Sequence, residues 1–139
     1  MDLKKFKVKG DKNMEKIIIT NNKDVYEKYK DDFEFLFSED YTYMDILDIT
    51  RRKIHEGYKL LTHPLSGSVK PNETPYKTIM VSSKKESLDY GSLNIIEESI
   101  QVFKKFKANK ETPNWTERIL EDFRVIDLSL IDNVIKKSI

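Results

Sequence analysis

Residues 63–77, HPLSGSVKPNETPYK, place one histidine, a Ser-Gly-Ser turn, two lysines, an Asn-Glu-Thr triplet, a tyrosine and three prolines in fifteen positions. A Ser-Gly-Ser turn aims backbone N–H groups and two hydroxyls at one point, and a nearby ammonium makes such a concavity attractive to phosphate or carboxylate. The segment therefore reads as an anion site built from Ser66, Gly67, Ser68 and Lys70, with His63, Asn72, Glu73, Thr74 and Tyr76 around it. His63 is the one candidate for proton transfer, because Pro64 holds its backbone extended at the end of an expected strand. Ser66 or Ser68 beside His63, with Glu73 or Asp40 as orienter, spells a nucleophile and base, although no G-x-S-x-G elbow supports acyl transfer. The competing explanation is a proline-pinned surface loop whose polar side chains satisfy only their own turns. Neither a G-x-x-x-x-G-K-[ST] loop nor a G-x-G-x-x-G fingerprint occurs, so the loop's signal is of moderate specificity, and no cofactor is expected. His55 and His63 lack metal-ligand spacing, and no metal is expected either.

These residues need elements to position them. Lys16 to Thr20 (KIIIT) is a short β-branched run, the mark of a strand buried on both faces. Asn22 is a plausible N-cap for a helix from Lys23 to Lys30 with Val25, Tyr26 and Tyr29 inward. Phe33 to Phe37 forms a second strand. Thr42 and Asp45 make a capping box for a helix that turns Met44, Leu47, the Arg51 stem and Ile54 inward and stops at Gly57. Tyr58 to Thr62 (YKLLT) reads as a third strand, so residues 14–62 form β-α-β-α-β, and Thr78 to Ser82 (TIMVS) as a fourth. The expected fold class is α/β: a small Rossmann-like or flavodoxin-like three-layer sandwich of about four mostly parallel strands. A connection without a helical crossover leans the fourth strand toward an antiparallel direction. In such sheets ligands sit outside the carboxyl ends of the strands, which adds Asn21 and Asn22 to the candidate site and gathers Glu39, Asp40 and His63 around one crevice.

The C-terminal third is helical. Leu93, Ile96, Ile100, Phe103 and Phe106 form one stripe. After Thr112-Pro113 and a capping box at Asn114 and Glu117, Ile119, Phe123, Ile126, Leu130 and Val134 form another, with a break expected near Asp127 to Ser129. Two long helices on a four-stranded sheet leave apolar surface for a partner or a second copy, so an assembly module, a binding protein and a small enzyme using His63 are the three functional classes in contention.

The chain has 139 residues, enough for a single domain that buries roughly 68% of its unfolded surface without disulfides or metal. It contains no cysteine, which excludes thiol catalysis and Cys-based metal sites. Basic residues number 25 and acidic ones 24, a balance that argues against nucleic acid as a partner. Residues 1–13 carry five Lys and two Asp and read as a basic tail or edge extension to a single α/β domain over 14–139. No leader or membrane-spanning run is visible, which makes the cytoplasm the expected compartment.

The opening KIIITNN, the segment GYKLLTHPLSGSVKPNETPYKTIMVS, the helix LNIIEESIQVFKKF and the ending DFRVIDLSLID together resemble the GrdX family, over roughly residues 14–135. The resemblance implies a cytoplasmic accessory role beside the glycine, sarcosine and betaine reductases of amino-acid-fermenting anaerobes. It carries over no catalytic residue, and it adds reductase components to the expected partners alongside a small anionic metabolite or nucleotide.

Overall fold

A computed structural model describes residues 13–67 and 69–137. The chain runs β1 (Asn13–Thr20), α1 (Lys23–Tyr29), β2 (Phe33–Phe37), α2 (Tyr43–His55), β3 (Thr78–Ser82), α3 (Tyr90–Asn109) and α4 (Glu117–Lys137). The expected tail lies outside the described residues except for Asn13, where β1 begins.

The sheet corrects the expectation of about four mostly parallel strands in a Rossmann-like sandwich. It has three strands in the order β2-β1-β3, with β1 parallel to β2 and antiparallel to β3. Residues 58–62 are not a strand. They run along the outer edge of β3 with one bridge, Leu60 to Val81, flanked by Leu61 N–H to Met80 O (2.9 Å) and Ser82 N–H to Lys59 O (2.8 Å). The reason is side-chain competition for ladder positions. Thr62 Oγ1 accepts from Met80 N–H, Ser82 Oγ from Lys59 N–H, and Ser92 Oγ from Leu60 N–H, so hydroxyls take bonds that a fourth strand would have made with its backbone.

Alternation along β1 splits the KIIIT run between two cores. Ile17 and Ile19 join Ile79 and Val81 beneath α2 and α3, while Ile18 and Met80 meet Val25 and Tyr29 of α1 and Ile131 and Ile135 of α4. The central strand is covered on both faces, which is why its residues are continuously apolar.

Three of the local signals hold. Asn22 Oδ1 accepts from Asp24 N–H, and the Thr42–Asp45 capping box closes in both directions. α2 ends in a Schellman motif, with Gly57 N–H to Ile54 O and Tyr58 N–H to Lys53 O. Gly57 sits at φ 106°, and a Cβ there would lie 2.1 Å from Glu86 O. Gly57→Ala is therefore expected to cost at least about 2 kcal/mol, read as a lower urea midpoint at unchanged slope.

Arg51 is half-buried, and its Nε and Nη2 make a bidentate pair with Glu97 at 2.6 Å each. The reading of the last helix changes. α4 is unbroken through Asp127 to Ser129 and begins at Glu117, too late for Asn114 to cap it. Its buried residues are Arg124, Asp127, Ile131 and Ile135, while Ile126, expected inside, is 40% exposed. The helix is rotated because two charged residues, rather than two more aliphatic ones, face the sheet end.

Candidate functional site

β3 starts where β1 ends, with Thr20 opposite Thr78, so the 63–77 loop is delivered to the carboxyl end of the central strand. Hydrogen bonds from several elements hold the loop there. Asn21 Nδ2 donates to Pro75 O (2.8 Å) and Tyr41 O (3.0 Å), and its Oδ1 accepts from Lys77 N–H (2.9 Å). Trp115 Nε1 donates to Glu73 O at 2.7 Å, and Asn72 Nδ2 to Lys110 O at 3.1 Å, so the connection between α3 and α4 clamps the loop's middle.

Held in this way, the loop divides the expected single crevice into two. On one side lies an open cleft of about 700 Å³, lined by Asn21, Glu39, Asp40, Tyr41, Thr74 and Tyr76 among others. On the other lies a smaller cavity of about 190 Å³, lined by His63, Ser66, Gly67, Lys77, Thr78 and Asp127 with aliphatic residues of α4.

The floor of the smaller cavity is a chain of buried hydrogen bonds. Thr78 Oγ1 donates to Asp127 Oδ2 (2.6 Å), and Asn22 Nδ2 donates to the same oxygen (3.0 Å) and to Arg124 O (2.9 Å). A hydroxyl has one proton, so with Thr78 committed to Asp127 it is Thr20 that donates across the 2.7 Å contact to Thr78. Thr20 Oγ1 in turn accepts from Asn22 N–H.

Lys77 is 5% exposed and its Nζ donates to Ser66 Oγ at 2.9 Å. Among the described residues no carboxylate lies within salt-bridge reach of this ammonium. Burial pushes the Lys77 amine down to about 8, only partly offset by the negative charge of Asp127. Burial likewise pushes the Asp127 carboxyl above its ordinary value, against the bonds from Thr78 and Asn22 and the charge of Lys77. An amine and a carboxyl that share a concavity while burial disfavours the charged form of each are equipped to hold a small charged ligand and to exchange protons with it.

The residues picked from sequence are distributed unevenly over this geometry. His63, Ser66 and Gly67 line the small cavity; Asn21, Thr74 and Tyr76 line the larger cleft. Asn21 and Asn22 are buried and their amides are engaged with the protein. Lys70 and Glu73 are exposed at the loop's outer turn, where Lys70 O accepts from Glu73 and Thr74 N–H, and they line neither space. Asn72 is buried with Oδ1 unpartnered. Ser68 lies outside the described residues.

His63 is exposed. Its Nδ1 lies 3.0 Å from Leu65 N and 3.1 Å from Leu65 O, so the side chain closes its own turn. Tyr76 OH accepts from Arg124 Nη1 at 2.9 Å, tying the loop to α4. Among the described residues no group of three His, Asp or Glu gathers as a metal site, and no helix is long and apolar enough to cross a membrane.

Sequence reasoning missed Lys77 and Asp127 as site residues. Asp127 was detectable: Arg124, Asp127, Ile131 and Ile135 follow steps of three and four, and a stripe drawn through apolar residues alone passes them by. Lys77 carried the weaker signal of directly preceding a fully buried strand.

No curated protein and no solved structure matches the chain. The family model of the GrdX-like proteins matches residues 17–136, from the first core residue of β1 to the last turns of α4. By that match, which takes in both clefts and the whole loop between them, the chain belongs to the GrdX-like family.

Proposed function

We propose that this protein serves reductive amino-acid metabolism as an accessory protein that holds a small anionic metabolite, a carboxylate above all, in the cavity formed by Lys77, Ser66, Gly67 and His63. The observation that carries this reading is the Lys77 ammonium: it is buried, and among the described residues it makes one hydrogen bond, to a neutral hydroxyl. Buried charges are normally paired, and two ammonium protons facing a cavity are two vacant donor positions for an anion. The cavity, at about 190 Å³, is smaller than the roughly 300–1,000 Å³ of drug-sized ligand sites, which favours an acid of a few heavy atoms over a nucleotide. The family membership supports the metabolic setting and names no ligand.

Thermal unfolding with acetate or inorganic phosphate tests the assignment. Either anion at about 100 times its Kd should stabilise the wild type by about 2.7 kcal/mol. Lys77→Met should abolish that response, and Lys70→Ala, at the loop's outer turn, should keep it. Loss of the response in Lys70→Ala with retention in Lys77→Met would move the site to the loop's outer surface.

A further inference from the structure

The same cavity holds what carbon–nitrogen condensation requires, and we propose that Lys77 is a nucleophile that forms an imine with a small aldehyde or 2-oxo acid. This rests on the anion-binding reading above, since the ligand's carboxylate would be what the cavity first holds.

Three features of the geometry carry the step. Lys77 lines the cavity from the first position before β3, fixed there by Asn21 through its backbone and by Ser66, also a lining residue, through the ammonium. Asp127, 6% exposed, lines the same space from α4, where Thr78 and Asn22 donate to its Oδ2. A carboxyl in that position can exchange a proton with whatever occupies the cavity. Leu130, Ile131 and Val134 of α4 supply an apolar part of the wall, beside the polar Thr62 and His63. An amine whose proton is held less tightly than that of a solvated lysine is a nucleophile near neutral pH, and the depressed affinity of Lys77 agrees with that use.

The ammonium gives one proton, by way of solvent water, to the Asp127 carboxylate, which lies beyond direct contact with it, and the nitrogen lone pair adds to the carbonyl carbon. The carbonyl oxygen takes the proton that the adding nitrogen gives up, giving a neutral carbinolamine. Nitrogen then expels that oxygen as water, with the proton supplied by Asp127. The balance is one ammonium and one carbonyl compound going to one protonated imine and one water, with no change in oxidation state. A ligand held this way is retained by a covalent bond that water reverses, which suits a carrier of reactive carbonyl acids.

The test pairs two probes of the same size on the full chain: pyruvate, which can condense, and lactate, which can bind but has no carbonyl. Sodium borohydride is added with pyruvate to trap an imine, and peptide mass mapping locates the adduct. The proposal expects trapping on Lys77 well above that on exposed Lys70, no adduct at residue 77 in Lys77→Arg, and a trapping rate lowered on the order of 100-fold in Asp127→Asn. The wild-type peptide map decides even where a variant folds poorly. Lactate protection lost in Lys77→Met, together with pyruvate trapping on Lys77 no greater than on Lys70, would overturn the imine and leave the anion reading standing. Trapping on Lys77 without protection by lactate, acetate or phosphate would overturn the anion reading alone. Neither protection nor trapping would overturn both.

Discussion

Replacing Asn22 with alanine lowers the unfolding free energy by about 3 kcal/mol, the largest single-residue loss expected among the polar groups of this fold. The figure combines a helix cap worth about 1 kcal/mol with two buried bonds, one of them to a carboxylate and so of the stronger kind. Asn22 Oδ1 caps α1 through Asp24 N–H, while Nδ2 reaches across to Arg124 O and Asp127 on α4. One fully buried amide therefore ties β1, α1 and α4 together. A melting temperature lower by on the order of 10 °C is the corresponding reading.

Asn22→Asp separates the two roles, because it keeps an oxygen for the cap and removes the donor to Asp127. At neutral pH it sets two carboxylates against each other, so they share a proton and the folded-state affinity for that proton rises. The folded chain then binds more protons than the unfolded one, and the variant's stability increases as pH falls. A variant that lost stability on acidification, or an Asn22→Ala protein melting with the wild type, would contradict this account of the α1–α4 junction.

Lys77→Met is expected to act in the opposite direction, raising stability at pH 7 by on the order of 2 kcal/mol while abolishing the anion response. The wild-type amine falls from an ordinary 10.5 to about 8 on folding. Between those values the unfolded chain binds the extra proton, so wild-type stability rises with pH through that window. The clean part of the window ends near pH 10, where phenols begin to titrate: Tyr29 and Tyr43 have raised values, and their contribution falls as pH rises further. From pH 8 to 10 the wild type should gain about 2 kcal/mol that Lys77→Met lacks. Among the groups around Lys77, Asp127 shares the cavity and is pushed further up when the cation is removed, while Arg124 is engaged with Glu117 and Tyr76. Denaturant midpoints of the two proteins across this range measure the difference. Parallel curves would mean that Lys77 is solvated in the folded state. A residue that weakens the fold yet completes a cavity is what a functional constraint produces.

Some of this was open to inspection in the chain because its cause is local. Asn22 and Thr42 cap helices through atoms within three residues of themselves, and Gly57 ends α2 because it alone suits a positive φ beside Glu86. KIIIT announced a strand covered on both faces, and TIMVS another, because a β-branched run has few other uses. The length and density of polar groups in HPLSGSVKPNETPYK marked the loop as the place to look, and the strand-end rule placed it beside Asn21.

What the tertiary structure alone decided is which partners those groups found. YKLLT has the composition of a strand, yet the hydroxyls of Thr62, Ser82 and Ser92 claim its ladder positions, and two of the three come from elsewhere in the fold. The rotation of α4 follows from Asp127 meeting Thr78 and Asn22, residues 49 and 105 positions away. Periodicity records that a helix has a buried face but cannot weigh a buried carboxylate against an aliphatic side chain until its donors are in place. The same holds for the lysines: Lys77 differs from Lys70 in sequence only by directly preceding TIMVS, and it is the return of the chain into β3 that leaves one in water and encloses the other, because desolvation depends on what the whole fold packs around the amine.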